Sequence, residues 1–505
     1  MSGRRWIDRV TRTSDDAGLQ LSGGASRRSR RADGLILGCS CLLLGAFLLA
    51  NLSRMLQGDE IQYLLMTHSL VVDGDLDLRD NYLEKDYLAF YPPGTSVAAE
   101  YFPSGGDDER DRYVAGLRAG RQGEWYSIHD IGLPLMLVPG YVAGGSGGAL
   151  ASLFAIALLL SWNVWLLGWE ISRDERLAAI GWAAVMGTAP VLLYTFQLFP
   201  EPIAALLLVY AVRKVRRIST LGRWATITTA LALAGLPWLH MRYAIFTMIA
   251  AAVCLLRTRD RVKLSWLAGP LAVSAILNLV YYDRVFGQAI VRTDFHEGFR
   301  LRADGLLGLA GLLVDGHAGL LIYSPIYLLG LAGLPFLWRR DPQAILTVAL
   351  LGSTYLTAGL YANWSGGWCP QPARYLTPVL PLLGVPIALV YGRSRAGARW
   401  VCRALWAASL ALPVLYLVKP QWAYTGLLAA AAEKRLGMDV EFLLPILAPK
   451  VRLAGRDLLF TNYWPAPLWL AAAAAAVYLL YRHTHRAAAD APDRATPHAV
   501  PGPLT

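Results

Sequence analysis

The chain has 505 residues, of which 55% are hydrophobic and only 16% charged, with 17 Trp and 24 Tyr and a mean hydropathy of +0.39. That balance excludes a soluble enzyme and makes a bilayer the expected solvent. The net charge of +11 fits Lys and Arg retained in cytoplasmic loops better than a nucleic-acid partner. Of the five cysteines, Cys39, Cys41, Cys254 and Cys402 fall inside apolar runs and Cys369 stands alone in a polar loop. Neither a disulfide framework nor a zinc spacing is available.

In chain order, residues 1–33 form a basic tail in which Arg27, Arg28, Arg30 and Arg31 precede the apolar run 34–52. A span needs about 20 apolar residues, and a cleaved signal has a shorter core, so the run reads as a retained anchor with its basic flank in the cytoplasm. A long polar stretch follows outside. Segment 131–148 is apolar but broken by Pro134, Pro139 and several glycines, so it is expected to lie at the interface. Further spans are expected near 149–170, 177–194, 201–212, 224–239, 243–256, 264–282, 319–338, 345–361, 375–391, 400–418 and 468–481. With these placements the short basic connections, from Arg173/Arg176 to Arg482/Arg486, all fall on one side, as the positive-inside rule requires. One missed span would invert everything after it. The pattern therefore predicts an all-α integral membrane protein of about twelve helices, multi-pass in the plasma membrane, with both termini cytoplasmic. Its membrane domain is 34–482, and the Ala- and Pro-rich tail 483–505 reads as disordered.

Three long loops lie on the opposite, extracytoplasmic side: 53–148, 283–318 and 419–467. Loops of this length are functional or carry structure of their own. They bring aromatic and charged residues together, as in YLAFYPP (87–93), WYSIHDIGLP (125–134) and WSGGWCPQPARY (364–375). The Asp59-Glu60 pair directly follows the first span. An Asp partly shielded from water can take the proton of an acceptor hydroxyl, although an acidic pair can equally cap a helix in interfacial water.

The order of these motifs resembles the GT-C glycosyltransferase superfamily, which includes protein O-mannosyltransferases and aminoarabinose transferases, and is most like its uncharacterised bacterial members. The resemblance covers most of the chain in layout. It is specific in GDEIQYLLMTH (58–68), YSIHDIGLP (126–134), Pro200-Glu201, LPWLHMRY (236–243), Tyr323-Ser324-Pro325 and the 364–375 segment. It implies a GT-C-like bundle with interfacial helices in the first outer loop, a polyprenyl-phosphate sugar donor, and transfer of a hexosyl or pentosyl group to a glycan, lipid or protein hydroxyl with inversion. It also implies Asp59 as general base and Glu60 as its supporting acidic residue. His129 occupies the place of a Lys- or His-bearing turn near the lipid phosphate, but Gly132-Leu133-Pro134 stands where those enzymes have a double proline.

A leaving phosphate needs cations in a site with little water. Arg242 and Arg374 sit at outer span ends, where a charge at full membrane depth would cost about 2.5–3.5 kcal/mol, and Arg suits bidentate phosphate contact. Each could instead snorkel to lipid headgroups. His240 is a weaker candidate for the same role. The alternation Asp73, Asp75, Asp77 resembles a calcium loop but lacks its Gly and Glu positions, so no metal and no cofactor is expected. Asp315-Gly316-His317 reads as a turn into the next helix. Two other classes share the layout. A transporter or flippase would show similar halves and a mid-membrane site, and a non-catalytic glycolipid-binding subunit would keep the fold without the base.

Overall fold

The computed structural model describes residues 28–52, 56, 59–91, 117–287, 303–315, 318–361, 364, 366, 372–420 and 465–489. Arg27, Gly58, Cys369, Gly316, His317, most of 419–467 and the greater part of both tails lie outside the described residues. Those described fold almost wholly into helices. Helix α1 (Arg30–Ala50) starts where the Ser29 side chain accepts the Ala32 N–H, and it buries Ile36, Ser40, Leu44 and Phe47. That spacing is one helical stripe. The other faces expose Leu35, Leu42 and Leu49, the apolar exterior of a helix in lipid.

The described residues of segment 53–148 form short pieces before the helix that begins at Gly132. Helix α2 (Asp59–Val72) and the one-turn α3 (Arg79–Leu83) are followed by the 3-10 turn Asp86–Phe90. Strands β1 (Leu117–Ala119) and β2 (Trp125–Ser127) form an antiparallel ribbon with Leu117 opposite Ser127. Asp77 accepts the Trp125 N–H at 2.8 Å, and the Leu78 N–H donates to the Trp125 carbonyl, so part of the acidic alternation serves to dock the ribbon. Helix α4 (Gly132–Ser172) is interrupted at Gly144 and Gly145, the latter at φ 57°, a conformation glycine adopts without steric cost. There the chain folds back and sets the backbones of Gly140 and Gly148 against each other. Residues 132–143 therefore form a short separate helix, and the membrane-length part comes after the break.

The central layer consists of the second half of α4 with α5 (Glu175–Met186), α7 (Glu201–Val215), α13 (Tyr327–Arg340) and α15 (Gly384–Arg393). Between α5 and α7 lies the four-residue α6 (Val191–Tyr194), and α12 (Leu320–Tyr323) precedes α13. A Cβ on Gly181 of α5 would stand 2.5 Å from the Gly384 carbonyl oxygen of α15, the close backbone approach that small residues permit in membrane bundles. Around this layer stand α8 (Arg223–Leu239), α9 (Ala244–Arg257), α10 (Arg261–Phe286), α14 (Ala344–Gly359), α16 (Ala396–Ser409), α17 (Ala411–Val418) and α18 (Pro465–Ala489).

Among the described residues four stretches are long and apolar enough to cross a membrane: Arg30–Ala50, Gly132–Ser172, Arg261–Phe286 and Ala396–Val418. The chain is a multi-pass membrane protein. Three expected spans are discontinuous. Run 177–194 breaks between α5 and α6, run 319–338 breaks at Ser324-Pro325, and run 375–391 begins as two 3-10 turns before α15. Pro325 and Pro190 lack the N–H that a continuous helix needs. The 283–318 stretch, expected as loop, carries the apolar helix α11 (Ala303–Val314), too short to register as a span by hydropathy. It packs on α14, with Gly308 and Gly311 against Trp364. The Asp315 carboxylate accepts the Ala318 N–H at 2.8 Å, which makes it a turn residue.

At one end of the bundle the basic connections are tied together. Arg216 bonds Asp341 at 2.9 Å, Arg257 donates to the Pro342 carbonyl at 3.0 Å, and Lys263 donates to the Ser219 carbonyl. Arg340 donates to the carbonyls of Ile171 and Ser172. Inside this end Arg213 reaches Glu170 at 2.6 Å. Helix α7 runs from Glu201 to this basic end, so Glu201 and its neighbours mark the other.

Candidate active site

At that other end five side chains from five separate segments meet. Glu201 is the first residue of α7 and completely buried, where the helix N-terminus favours its negative charge. Its Oε1 accepts from Arg242 Nη2 and from Arg374 Nε, both at 2.9 Å. Arg374 also donates from Nη2 to Asp59 Oδ2 and from Nη1 to the Gly366 carbonyl, again at 2.9 Å. His129 Nε2 stands 3.7 Å from Asp59 Oδ1. The sequence-expected residues Asp59, His129, Arg242 and Arg374 are thus brought into one cluster.

Local geometry explains each placement. Asp59 opens α2. Arg374 follows Ala373, a non-glycine residue in the left-handed region at φ 52°, held there by its N–H bond to the Ala318 carbonyl at 2.8 Å. Such a backbone is strained and turns the next side chain inward. Arg242 lies in the 3-10 turn Met241–Tyr243, which begins where the extended backbone of His240 ends α8. His129 follows β2, and its N–H donates to Ser127 Oγ at 3.1 Å, whose hydroxyl donates to Gln62 Oε1 at 2.6 Å. Its ring packs at 4.9 Å on Tyr63. Aromatic faces shield the cations: Arg242 stands 4.3 Å over Tyr375 and Arg374 4.4 Å over Phe199, an attraction that grows as water is excluded.

Burial by itself would raise the Asp59 pKa, but His129, Arg374 and Arg242 outweigh it and hold the carboxyl below its ordinary value. Burial lowers the pKa of His129 despite the opposing pull of Asp59. For His240, burial and then Arg242 and Arg374 push it well below the ordinary value. The cluster therefore joins two carboxylates, two guanidiniums and the His129 imidazole.

The remaining expected residues fall elsewhere. Glu60 is wholly buried and its Oε1 accepts the Leu198 N–H at 2.8 Å, which ties α2 to the segment leading into Glu201. His240 Nδ1 accepts the Arg242 N–H at 3.3 Å and shapes the Arg242 turn. The carboxylate that joins the two arginines is Glu201. Its signal in the sequence is slight, an acid at the start of an apolar run on the same side as both arginines.

No family model and no curated protein matches the chain. In overall structure it is similar to ArnT from Cupriavidus metallidurans bound to undecaprenyl phosphate, with TM-score 0.47 and 13% identity over 91% of this chain and 78% of that one. It is also similar to the oligosaccharyltransferase AglB from Archaeoglobus fulgidus in complex with an inhibitory peptide and a dolichol-phosphate, with TM-score 0.41 and 12% identity over 83% of this chain. The chain spans 59% of that archaeal protein's length. An archaeal oligosaccharyltransferase is thus among the structures that this chain resembles in shape, while residue roles rest on this chain's own geometry.

What that geometry can do follows from which atoms remain open. The Asp59 side chain is 31% exposed while Glu201 shows nothing to solvent, so Asp59 is the carboxylate of this pair that an outside molecule can touch. Arg374 spends Nε, Nη1 and Nη2 on Glu201, Gly366 and Asp59. Arg242 Nε is buried with no partner, as is Glu201 Oε2. A buried donor of this kind costs about 1–3 kcal/mol unless something satisfies it.

Proposed function

We propose that the chain is a membrane glycosyltransferase that moves a sugar from a polyprenyl phosphate to an acceptor hydroxyl, with Asp59 as the base. The observation that carries this reading is the pairing of an accessible, ionised Asp59 with two part-buried guanidiniums on the buried Glu201 at one end of the bundle. Asp59 accepts the proton of the acceptor hydroxyl as that oxygen bonds the anomeric carbon. The bond between that carbon and the phosphate oxygen breaks, and the lipid phosphate leaves with the electron pair. Because Arg374 depresses the basicity of Asp59, the proton moves late, when the new bond has already made the hydroxyl acidic. Arg242, whose side chain is a quarter exposed, meets the growing charge on the phosphate with its guanidinium, and His129 offers a further polar group nearby. A base and a leaving group on opposite sides of the sugar give inversion.

The orientation belongs to the same proposal: about twelve spans, the basic end in the cytoplasm, and the site at the extracytoplasmic leaflet of the plasma membrane. The test uses purified full-length protein in proteoliposomes with radiolabelled undecaprenyl-phosphate hexoses and pentoses and host membrane extract as acceptor. Asp59→Asn is expected to cut transfer about 10²–10⁴-fold, the range of general base catalysis, while undecaprenyl phosphate still binds. Unchanged transfer by Asp59→Asn removes the base role. Movement of the lipid across the bilayer without a new glycosidic bond would make the chain a flippase.

A further inference from the structure

One face of α2 carries more than the base. Gln62 and Tyr63 follow Asp59 at spacings of three and four residues, so the three side chains leave the helix on the same side. Asp59 meets Arg374 there, Tyr63 supports the His129 ring at 4.9 Å, and Gln62 Oε1 accepts the Ser127 hydroxyl at 2.6 Å. Gln62 and Ser127 are both buried. The same Ser127 Oγ accepts the His129 N–H at 3.1 Å. One hydroxyl therefore links the helix that carries Asp59 to the residue whose Nε2 stands 3.7 Å from Asp59 Oδ1. Other anchors hold the chain on either side. Before it, the Trp125 N–H donates to Asp77 Oδ1 at 2.8 Å. After it, the Tyr282 hydroxyl donates to Asp130 Oδ1, and a Cβ on Gly132 would stand 2.6 Å from the Trp238 carbonyl carbon, so the segment lies directly on the end of α8.

From this arrangement we propose that Gln62 and Ser127 are positioning residues, a clamp that holds His129 beside Asp59 so that base and imidazole keep one spacing during transfer. The inference rests on the functional reading above, since it concerns how two groups of that site are held. Neither clamp residue needs to touch the donor. Ser127 is only 3% exposed, whereas the side chains of His129 and Asp59 are 16% and 31% exposed. The hydroxyl orients the peptide from which the imidazole projects, and a displacement of about an ångström at a reacting site is enough to slow a step. Because the clamp is fastened to the helix of Asp59, a movement of α2 carries both groups together. The anchors at Trp125, Asp130 and Gly132 keep the segment in place when the hydroxyl is removed, so the loss falls on His129 more than on the fold.

The test is a double-mutant cycle between Ser127 and His129, read as the transfer rate of full-length protein in proteoliposomes with radiolabelled undecaprenyl-phosphate sugars and host membrane extract as acceptor. Ser127→Ala is expected to slow transfer about tenfold, the scale of one or two hydrogen bonds. In a His129→Ala background the same change is expected to slow it less than about twofold, because the clamp then has nothing to place. General damage to packing would instead multiply with the loss from His129→Ala, and losses that multiply overturn the positioning role. Ser127→Thr keeps the hydroxyl and suits a strand, so its rate is expected within about threefold of wild type. A loss as deep as that of Ser127→Ala would trace the effect to space and not to the hydroxyl, and overturn the proposal. An unchanged rate in Ser127→Ala or in His129→Ala also overturns it, and leaves the base role of Asp59 standing. A wild-type protein that forms no glycosidic bond overturns the functional reading and this inference with it. Should Ser127→Ala fail to fold, Gln62→Met, which removes the acceptor, takes its place in the cycle with the same outcomes.

Discussion

Asp59 owes its chemistry to its neighbours more than to its own sequence context. The dipeptide Asp59-Glu60 shows two carboxylates; only folding shows that one faces Arg374 and the other faces the Leu198 amide. His129, Arg242 and Arg374 were legible because a cation or imidazole beside an apolar run is costly and needs a reason. Glu201 and Asp130 were not, since their partners are 41 and 152 residues away in sequence. The perturbed groups beside the site also predict how stability responds to pH. His240 has a folded pKa well below its ordinary 6.5, so the unfolded chain binds protons first as pH falls through about 6.5, and stability is lost below that point. Asp130 acts in the opposite sense. Its folded value of about 7 lies above the ordinary 3.8, so the folded chain holds the extra proton and stability falls as pH rises between those values. Thermal unfolding in detergent across pH 4–8 checks both signs. His240→Gln is expected to lose less stability than wild type on going from pH 7 to 5, and Asp130→Asn to lose less on going from pH 5 to 7.

At the scale of elements, the sequence shows helices well where hydrophobicity runs unbroken, as in α1 and α10, and poorly where the site requires a break. The runs 177–194, 319–338 and 375–391 all have span-like hydropathy, yet each is interrupted, and the last interruption delivers Arg374. A hydropathy reading sums over such breaks and cannot place them. Helix α11 was missed for the converse reason, being apolar but only 12 residues long. The same packing gives a test of how the central layer is held. Gly181 faces the Gly384 carbonyl at a separation where a methyl group would overlap, and both partners are backbone atoms that cannot rotate away. Gly181→Ala is therefore expected to destabilise the protein by about 1–3 kcal/mol, the range for overpacking, read as a lower midpoint of thermal unfolding. Gly352 in α14 has nothing within 4 Å of its added Cβ, so Gly352→Ala is the matched control. It should leave the midpoint unchanged or raise it, because Ala is the better helix former. Equal losses in the two variants would mean that close backbone contact is not what holds α5 to α15.

For the whole molecule, the separation between its two ends matters most. One end gathers Arg216, Arg257, Lys263 and Arg340 in bonds that tie four connections together; the other gathers Asp59, His129, Glu201, Arg242 and Arg374. Helix α7 bridges them, with Glu201 at its start and Arg213 and Lys214 in its last turn. In the orientation proposed above the cationic loops are retained on the cytoplasmic side, and a helix that carries one end inward must carry the other outward. Single cysteines can read this out. Thr220 and Gln122 are exposed, the first among the basic connections and the second on the β1–β2 turn near the site. With labelling measured above the background of the native thiols, Gln122→Cys is expected to react with a membrane-impermeant maleimide in intact cells, and Thr220→Cys only after the membrane is opened. The reverse pattern would put the site in the cytoplasm, where it would face the inner leaflet and meet a different pool of lipid-linked donors, and the extracytoplasmic assignment would fall while the chemistry of the cluster stood.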